Sequence, residues 1–423
     1  MKLHWKILIG MMLGVFVGLL VNDAIVMPGA LGEWFGKFSF VRSFAIRVVH
    51  PLLDPIGLIF IKLLKMLIIP LILASMVVGV AKVGDIRKLG GLGGRTFVFY
   101  ISTTFASVIV GLIAVNIIKP GGNEPLAGEV PEAAYSVLSA GGIILNMIPD
   151  NPIRAMANMD ILPVIVFALL LGAVLTTLGG KARPLVEFFD SLNDAMMRLA
   201  DWIIQLTPIG VFALLAKVVA ETGPGIFANL GKYMVTVLIG LSIHACVTLP
   251  VILLVIGRVK PRKFIRHVAP ALTTAFSTAS SSATLPLTLD CVTKRAGIPG
   301  KVSRFVLPLG ATINMDGTAL YESVAAVFIA QVYGIDLTLT QQVIIFLTAT
   351  LAAIGAAGIP SAGLVTMAIV LKAVGLPLEG IGMILAVDRI LDMCRTAVNV
   401  WGDTVGCAVV ARLQGEDPLA EDE

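Results

Sequence analysis

Apolar side chains occur in long, nearly unbroken blocks with short polar punctuation, and the blocks predict helices near 6–27, 44–82, 86–119, 155–180, 192–220 and 227–257. Blocks of about 20 residues or more have the length a helix needs to cross a bilayer. The 44–82 block exceeds that length, so its helix must tilt or project beyond the hydrocarbon. The N-terminal block has the outline of a secretory signal. It lacks a clear small-residue cleavage site and further spans follow it, so it reads as a retained first helix.

From residue 258 the pattern changes. Segment 267–293 holds the polar run Thr278-Ala279-Ser280-Ser281-Ser282-Ala283-Thr284 and then Pro286. Arg262, Lys263 and Arg266 precede it, and Lys294 and Arg295 follow it. A segment with a cytoplasmic signature at both ends must enter the membrane and return, which predicts a re-entrant hairpin with the serines at its tip. Residues 323–371 carry one charge, Asp336, and are interrupted by the Gly/Pro-rich stretch from Gly355 to Gly363, which no continuous helix accommodates. This predicts a second hairpin, entering from outside. A helix bearing carboxylates follows each hairpin, with Asp316 after the first and Asp392 after the second. Irregular backbone is tolerated at membrane depth only where protein or a water-filled cavity satisfies it, so the two hairpins predict a buried polar site between inverted repeats.

Composition narrows the class. Of 423 residues, 57% are hydrophobic and 14% charged, against roughly 25% charged in soluble domains. Mean hydropathy is +0.96. Such a chain cannot cover a water-facing surface, which excludes a soluble enzyme or nucleic-acid binder. The net charge of +4 comes from basic residues collected at span ends, an orientation signal and not a ligand signal. Lys2, Lys6, Lys82, Arg87, Lys88, Arg95, Lys181, Arg183 and the 258–266 cluster alternate with a 120–153 connection that holds only Glu124, Glu129, Glu132 and Asp150. The pattern puts both termini in the cytoplasm and that connection outside, as in a multi-pass protein of the cell (inner) membrane. Cys246, Cys291, Cys394 and Cys407 stand singly, and His4, His50, His244 and His267 lack metal-ligand spacing. Disulfide and zinc frameworks are therefore not expected.

The last apolar segment carries the densest chemistry. Asp388, Asp392, Arg395, Asn399 and Asp403 fall within about 80° of one helix face at about 100° per residue, with Thr396 at the edge. Charges so placed in a membrane helix are functional candidates by default, with a structural ion-pair ladder as the alternative. Asn314-Met315-Asp316-Gly317-Thr318 puts an amide, a carboxylate and a helix-weakening glycine together. Gly317 is expected to free carbonyls there, making a hard-oxygen site suited to sodium. Glu322 is the other acid of that span, and burial favours the neutral form of a lone carboxyl, making it a candidate proton carrier. The Arg395 guanidinium suits a carboxylate bidentately, and Asp392 suits an ammonium. Together they fit an acidic amino acid.

The segments SSSATLP (280–286), NMDGTALYE (314–322), GAAGIPSAG (355–363) and DMCRTAVNVWGD (392–403) resemble, in order, the motifs of the glutamate/aspartate transporter family. These are sodium-coupled symporters that include the excitatory amino acid transporters and their prokaryotic homologues, and the resemblance runs over almost the whole chain. It implies an all-α polytopic membrane protein of eight transmembrane helices plus two re-entrant hairpins, a homotrimer of elevator type among membrane lipids. Residues 1–85 and 120–220 would form the scaffold. Residues 86–119, 221–258 and 259–412 would form the transport domain, followed by an acidic cytoplasmic tail at 413–423. The implied cargo is L-glutamate or L-aspartate with sodium ions, together with a proton through Glu322, and no organic cofactor. Substrate contacts would come from Ser280, Ser281, Thr318, the Ile359–Gly363 backbone, Asp392, Arg395, Thr396 and Asn399.

One implied sodium lies at Asn314, Asn399, Asp403 and the Gly310 carbonyl. A second lies at carbonyls near Thr312 and Met315 and from Ala353 and Ile354 to Ala356. A third lies at Asp316 and Asn314 with Tyr100, Thr103 and Thr104. The chain departs from the family pattern twice. Archaeal members have an Arg before the serine run where this chain has Ala279, and eukaryotic members have an Arg where it has Met393. Arg389, one turn from Asp392, can substitute. Archaeal sodium-only members have Gln where this chain has Glu322.

Other readings were a neutral amino acid or C4-dicarboxylate symporter of the same fold, an intramembrane protease and a passive channel. Neutral carriers lack the Arg at 395, and a dicarboxylate carrier has no use for Asp392. A protease would need a histidine beside the serines or two facing aspartates. Accumulation of substrate against its gradient separates a carrier from a channel.

Overall fold

The structure, a computed structural model, describes residues 3–21, 50–83, 86–122, 145, 148–222, 225–354 and 362–418. Every regular element among them is helical. The first three helices are α1 (Leu3–Val21), α2 (His50–Val83) and α3 (Ile86–Ile118). Residues 22–27 and 44–49, which the apolar blocks assign to the first two, lie outside the described residues. Pro55 and Pro70 sit inside α2 without ending it, a tolerance typical of helices supported by neighbours in a membrane.

The expected 155–180 helix is two pieces, a short α4 (Pro152–Asn158) and α5 (Ile161–Leu178). Asn151 caps α4 by accepting from the backbone N–H of Ile153 and Arg154, and Pro152 opens it, where its missing N–H costs nothing. The expected single helix over 192–220 is also corrected. It is α6 (Arg183–Gln205) followed by α7 (Thr207–Thr222). Pro208 cannot donate to the carbonyl four residues back, and its ring crowds that carbonyl, so the helix breaks at Leu206. α6 begins nine residues early because it is amphipathic, exposing Glu187, Asp194, Arg198 and Asp201 while Phe189, Ile203 and Ile204 are buried.

α8 (Ile226–Ile243) runs through a π-helical turn (His244–Thr248) into α9 (Leu249–Val255). The hairpin expected around the serines is present. α10 (Pro261–Thr278) and α11 (Ser281–Asp290) pack together, joined by Ala279 in the left-handed region (φ 51°). Ser280 then caps α11 by accepting from the Ala283 N–H at 3.2 Å. α12 (Gly300–Ile313) and α13 (Asp316–Val332) follow, then α14 (Leu339–Ile354), α15 (Ala362–Ala373) and α16 (Ile381–Leu413). α14 packs on α15, as two arms of the second hairpin should. Its tip, 355–361, lies outside the described residues.

Among the described residues, four stretches are long and apolar enough to cross a membrane: Pro55–Ala81, Gly91–Ile118, Ile161–Gln205 and Ile226–Val255. α16, at 33 residues, is about 50 Å long and could also span, but its charged stripe takes it out of the purely apolar class. Packing groups the helices into two sets that meet mainly through α16 on α7 and α15 on α2. α2 contacts α5, α6 and α7, while α1 lies along α7. α3 packs on α8, α13 and α14, and α16 runs through the middle, touching α7, α8, α10, α12 and α13. The α1–α7 contact is backbone against backbone. A methyl added at Gly14 would lie 2.7 Å from the Phe212 carbonyl oxygen and one at Gly18 2.6 Å from that of Ala216, while Gly10 meets Pro208 in the same way. Small residues every fourth position are how helices approach closely in lipid.

Candidate functional site

The polar stripe of α16 is buried along its whole length: Asp388, Asp392, Arg395, Thr396, Asn399 and Asp403 are each at most 6% exposed. It faces α13, where Asp316 and Glu322 are fully buried and Thr318 nearly so. Two centres form along it.

The first centre surrounds Arg395. Its guanidinium lies 2.9 Å from Asp392 and 3.2 Å from Asp388, with its charge over the face of Tyr321 at 3.8 Å from the ring centroid. A buried guanidinium between two carboxylates and an aromatic face is held in one orientation. Arg389 reaches Asp392 at 3.6 Å from the more exposed side, the substitution expected for the missing arginines. Gly363, at the start of the second hairpin's return arm, sits against the same guanidinium. Thr396 is occupied by the Asp392 carbonyl at 2.8 Å. Ser280 and Ser281 are buried at the first hairpin's tip, on a helix that packs against α16. Ile359 lies outside the described residues.

The second centre lies where α12 breaks. The helix stops at Ile313 and restarts at Asp316, so the interruption falls at Asn314–Met315 and not at Gly317, as sequence reasoning had it. Gly317 has a different task. A side chain there would lie 2.7 Å from the Arg395 carbonyl oxygen, and its N–H donates to Asn399 Oδ1 at 2.8 Å. Asn399 also donates toward Thr318 Oγ1 and Met315 Sδ, both at 3.3 Å. Asn314 donates to Asp403 at 3.0 Å. Asp316 Oδ1 accepts from Thr104 at 2.7 Å and from Thr103 at 3.4 Å. Tyr100 donates to the Val306 carbonyl at 2.9 Å, and its hydroxyl would be 2.5 Å from a methyl added at Gly310, which Asp403 would also obstruct.

Thus Tyr100, Thr103, Thr104, Gly310, Asn314, Met315, Asp316, Asn399 and Asp403 come together. Thr312 bonds back into its own helix through the Leu309 carbonyl. Ala353 is buried in α14, Ile354 ends that helix, and Ala356 is outside the described residues. No Lys or Arg among the described residues pairs with Asp316 or Asp403. Two buried carboxylates ringed by hydroxyl, amide and carbonyl oxygens form a donor set for a hard cation.

Glu322 lies six residues along α13 from Asp316 and is fully buried. Three participants escaped sequence reasoning or received no role there. Tyr321 supplies the aromatic face under Arg395 and Asp388 its second carboxylate. His244, fully buried, reaches Asp316 Oδ2 at 3.2 Å. A titratable side chain midway through an apolar span was the available signal for His244.

Broken helices converging on a buried charged site within a helical membrane protein define a multi-pass membrane transporter. The chain belongs to the sodium:dicarboxylate symporter family, whose model matches residues 3–413. It is similar to excitatory amino acid transporter 3 of Mus musculus, 41% identical over 85% of this chain and 79% of the relative. The same transporter of Oryctolagus cuniculus is 37% identical over 99% and 87%. An excitatory amino acid transporter of Caenorhabditis elegans is 38% identical over 86% and 82%.

Proposed function

We propose that the protein takes up glutamate or aspartate together with sodium ions. Arg395 would hold the side-chain carboxylate of the substrate and Asp392 its ammonium. Ser280, Ser281, Thr318, Asn399 and the Ile359–Gly363 backbone would complete the pocket. Sodium would bind at Asp403, Asn399, Asn314 and the Gly310 carbonyl, and at Asp316 with Asn314, Tyr100, Thr103 and Thr104. A third ion would use carbonyls near Thr312, Met315 and Ala353–Ala356, and Glu322 would carry a proton.

The observation that carries this reading is the charge asymmetry of the stripe. Arg395 has carboxylates to exchange for those of an arriving substrate, whereas Asp316 and Asp403 have hydroxyl, amide and imidazole neighbours and no Lys or Arg among the described residues. Cargo cations supply the missing positive charge. The packing of α3, α8 and α10–α16 around one another, meeting the other helices mainly through α16 on α7 and α15 on α2, supports a mobile unit moving against a scaffold. In this reading the eight spans and two hairpins form an elevator within a homotrimer, with both termini in the cytoplasm. The test is uptake of labelled aspartate and glutamate into proteoliposomes with and without an inward sodium gradient. Accumulation driven by the gradient is expected; uptake indifferent to sodium would overturn the reading.

A further inference from the structure

His244 stands at the first residue of the π-helical turn that interrupts the α8–α9 span. Such turns shift the phase of a helix and re-aim the side chains at the interruption. The carbonyl of Ala245, in the same turn, accepts from the Trp401 indole N–H at 3.0 Å. The turn is thereby fastened to α16 two residues before Asp403. His244 itself is fully buried, with Nε2 at 3.2 Å from Asp316 Oδ2 and no partner for Nδ1 among the described residues.

The Asp316 carboxylate oxygen accepts, so Nε2 carries the hydrogen of this bond. Asp316 is then gripped from both sides, with the Thr103 and Thr104 hydroxyls on Oδ1 and the His244 N–H on Oδ2. A carboxylate oxygen has two lone pairs, so Oδ2 keeps one. That oxygen is also approached by Gly402, where an added methyl would lie 3.2 Å from Oδ2 and 2.9 Å from Asn314 Nδ2.

We propose that His244 is a positioning residue for the coupled cation, a ring N–H donor that fixes the Asp316 carboxylate so that the lone pair left on Oδ2 faces the ion. The inference rests on Asp316 being a cation ligand. The chemistry also explains why a histidine occupies the place. A Lys or Arg there would neutralise Asp316 and compete with the cation, and an apolar residue would leave the carboxylate free to turn. A single ring N–H orients the carboxylate without covering it.

The experiment compares the full-length protein with His244→Leu, His244→Asn, His244→Gln and Asp316→Asn. Two quantities are measured: the half-saturating sodium concentration for aspartate binding, and the aspartate affinity at saturating sodium. A hydrogen bond to a charged group is worth about tenfold in an equilibrium constant. The Leu and Asn variants should therefore need about tenfold more sodium and match the parent in aspartate affinity once sodium saturates. Gln, long enough to present its amide N–H to Oδ2, should stay within about twofold of the parent. Sodium alone should raise the melting temperature of the Gln variant as it does the parent's, and that of the Asn variant less.

An Asn variant with the parent's sodium requirement, or a Gln variant as impaired as Leu, overturns the positioning role while Asp316→Asn still raises the sodium requirement. If Asp316→Asn leaves that requirement unchanged, the cation-site reading itself has failed. Should the leucine variant not fold, the contrast between Asn and Gln decides alone.

Discussion

The two ends of the buried stripe on α16 solve the problem of buried charge in opposite ways. Toward the start of the helix, Asp388 and Asp392 share one arginine, which also lies on the Tyr321 ring. The group is close to self-neutralising, and Arg389 adds a further positive charge from the side. Toward the end, Asp403 and Asp316 have amide, hydroxyl and imidazole neighbours but, among the described residues, no guanidinium or ammonium. Burying unpaired carboxylates is expensive, so the second group is incomplete without cations, whereas the first is complete and must be opened. In the proposed function the organic anion goes to the first end and the inorganic cations to the second. Gly317 ties the two together, since it follows Asp316 directly, lies against the Arg395 carbonyl and donates its N–H to Asn399.

The sharpest way to break this contrast is Arg395→Cys. Removing one partner of a buried charge pair costs about 2–5 kcal/mol, or roughly thirty-fold to several thousand-fold in affinity. Binding of aspartate and glutamate should be lost and small neutral amino acids admitted; equilibrium binding of aspartate and serine checks both halves. Next come Asp316→Asn and Asp403→Asn, each of which takes a charged oxygen from a cation. Half-saturating sodium should rise about tenfold or more, read from sodium titrations of aspartate binding. If instead these variants lost aspartate affinity at saturating sodium, the two ends would not be chemically distinct.

Gly310→Ala tests the cation end sterically, since the methyl would collide with Asp403 and the Tyr100 hydroxyl. Overpacking of this kind costs about 1–3 kcal/mol. It should appear as a lower melting temperature and weaker sodium protection, with neutral substrates no better accepted. Glu322→Gln should leave sodium-dependent exchange intact and flatten the pH profile of net uptake over about pH 5.5 to 8, measured side by side with the parent. An unchanged profile would return Glu322 to a packing role. Last, Arg183→Ala removes the fully exposed Arg183–Glu187 pair. It should change neither melting temperature nor transport, the contrast to the buried pairs.

Much of this site was legible because membrane helices punish polar residues. Five polar side chains within a narrow arc of an apolar helix had few explanations, and all of them are buried where the arc placed them. The first hairpin was legible from its basic flanks, a signal that depends on the bilayer and not on the fold. Other features were harder. Hydropathy passes over the Leu206 break because α6 and α7 are joined without a polar loop; Pro208 was the only mark. Gly317 was read as a weak point because glycine destabilises helices, yet here its value is the closeness it allows to the Arg395 carbonyl, which only the fold reveals. His244 has no sequence neighbour to pair with. Its partner is 72 residues away.

The closeness of α1 to α7 has a consequence for biogenesis. The ribosome adds about 5–20 residues per second, and roughly 200 residues separate Gly14 from Phe212, so α1 is finished roughly 10–40 s before its partner exists. During that interval the furrow along Gly10, Gly14 and Gly18 has no matching backbone to receive it. α1 must wait in the bilayer or beside the insertion machinery, and slowing translation anywhere between residues 21 and 207 prolongs the wait. A synonymous-codon change in that stretch, which alters no contact in the finished protein, can therefore change how much of it assembles.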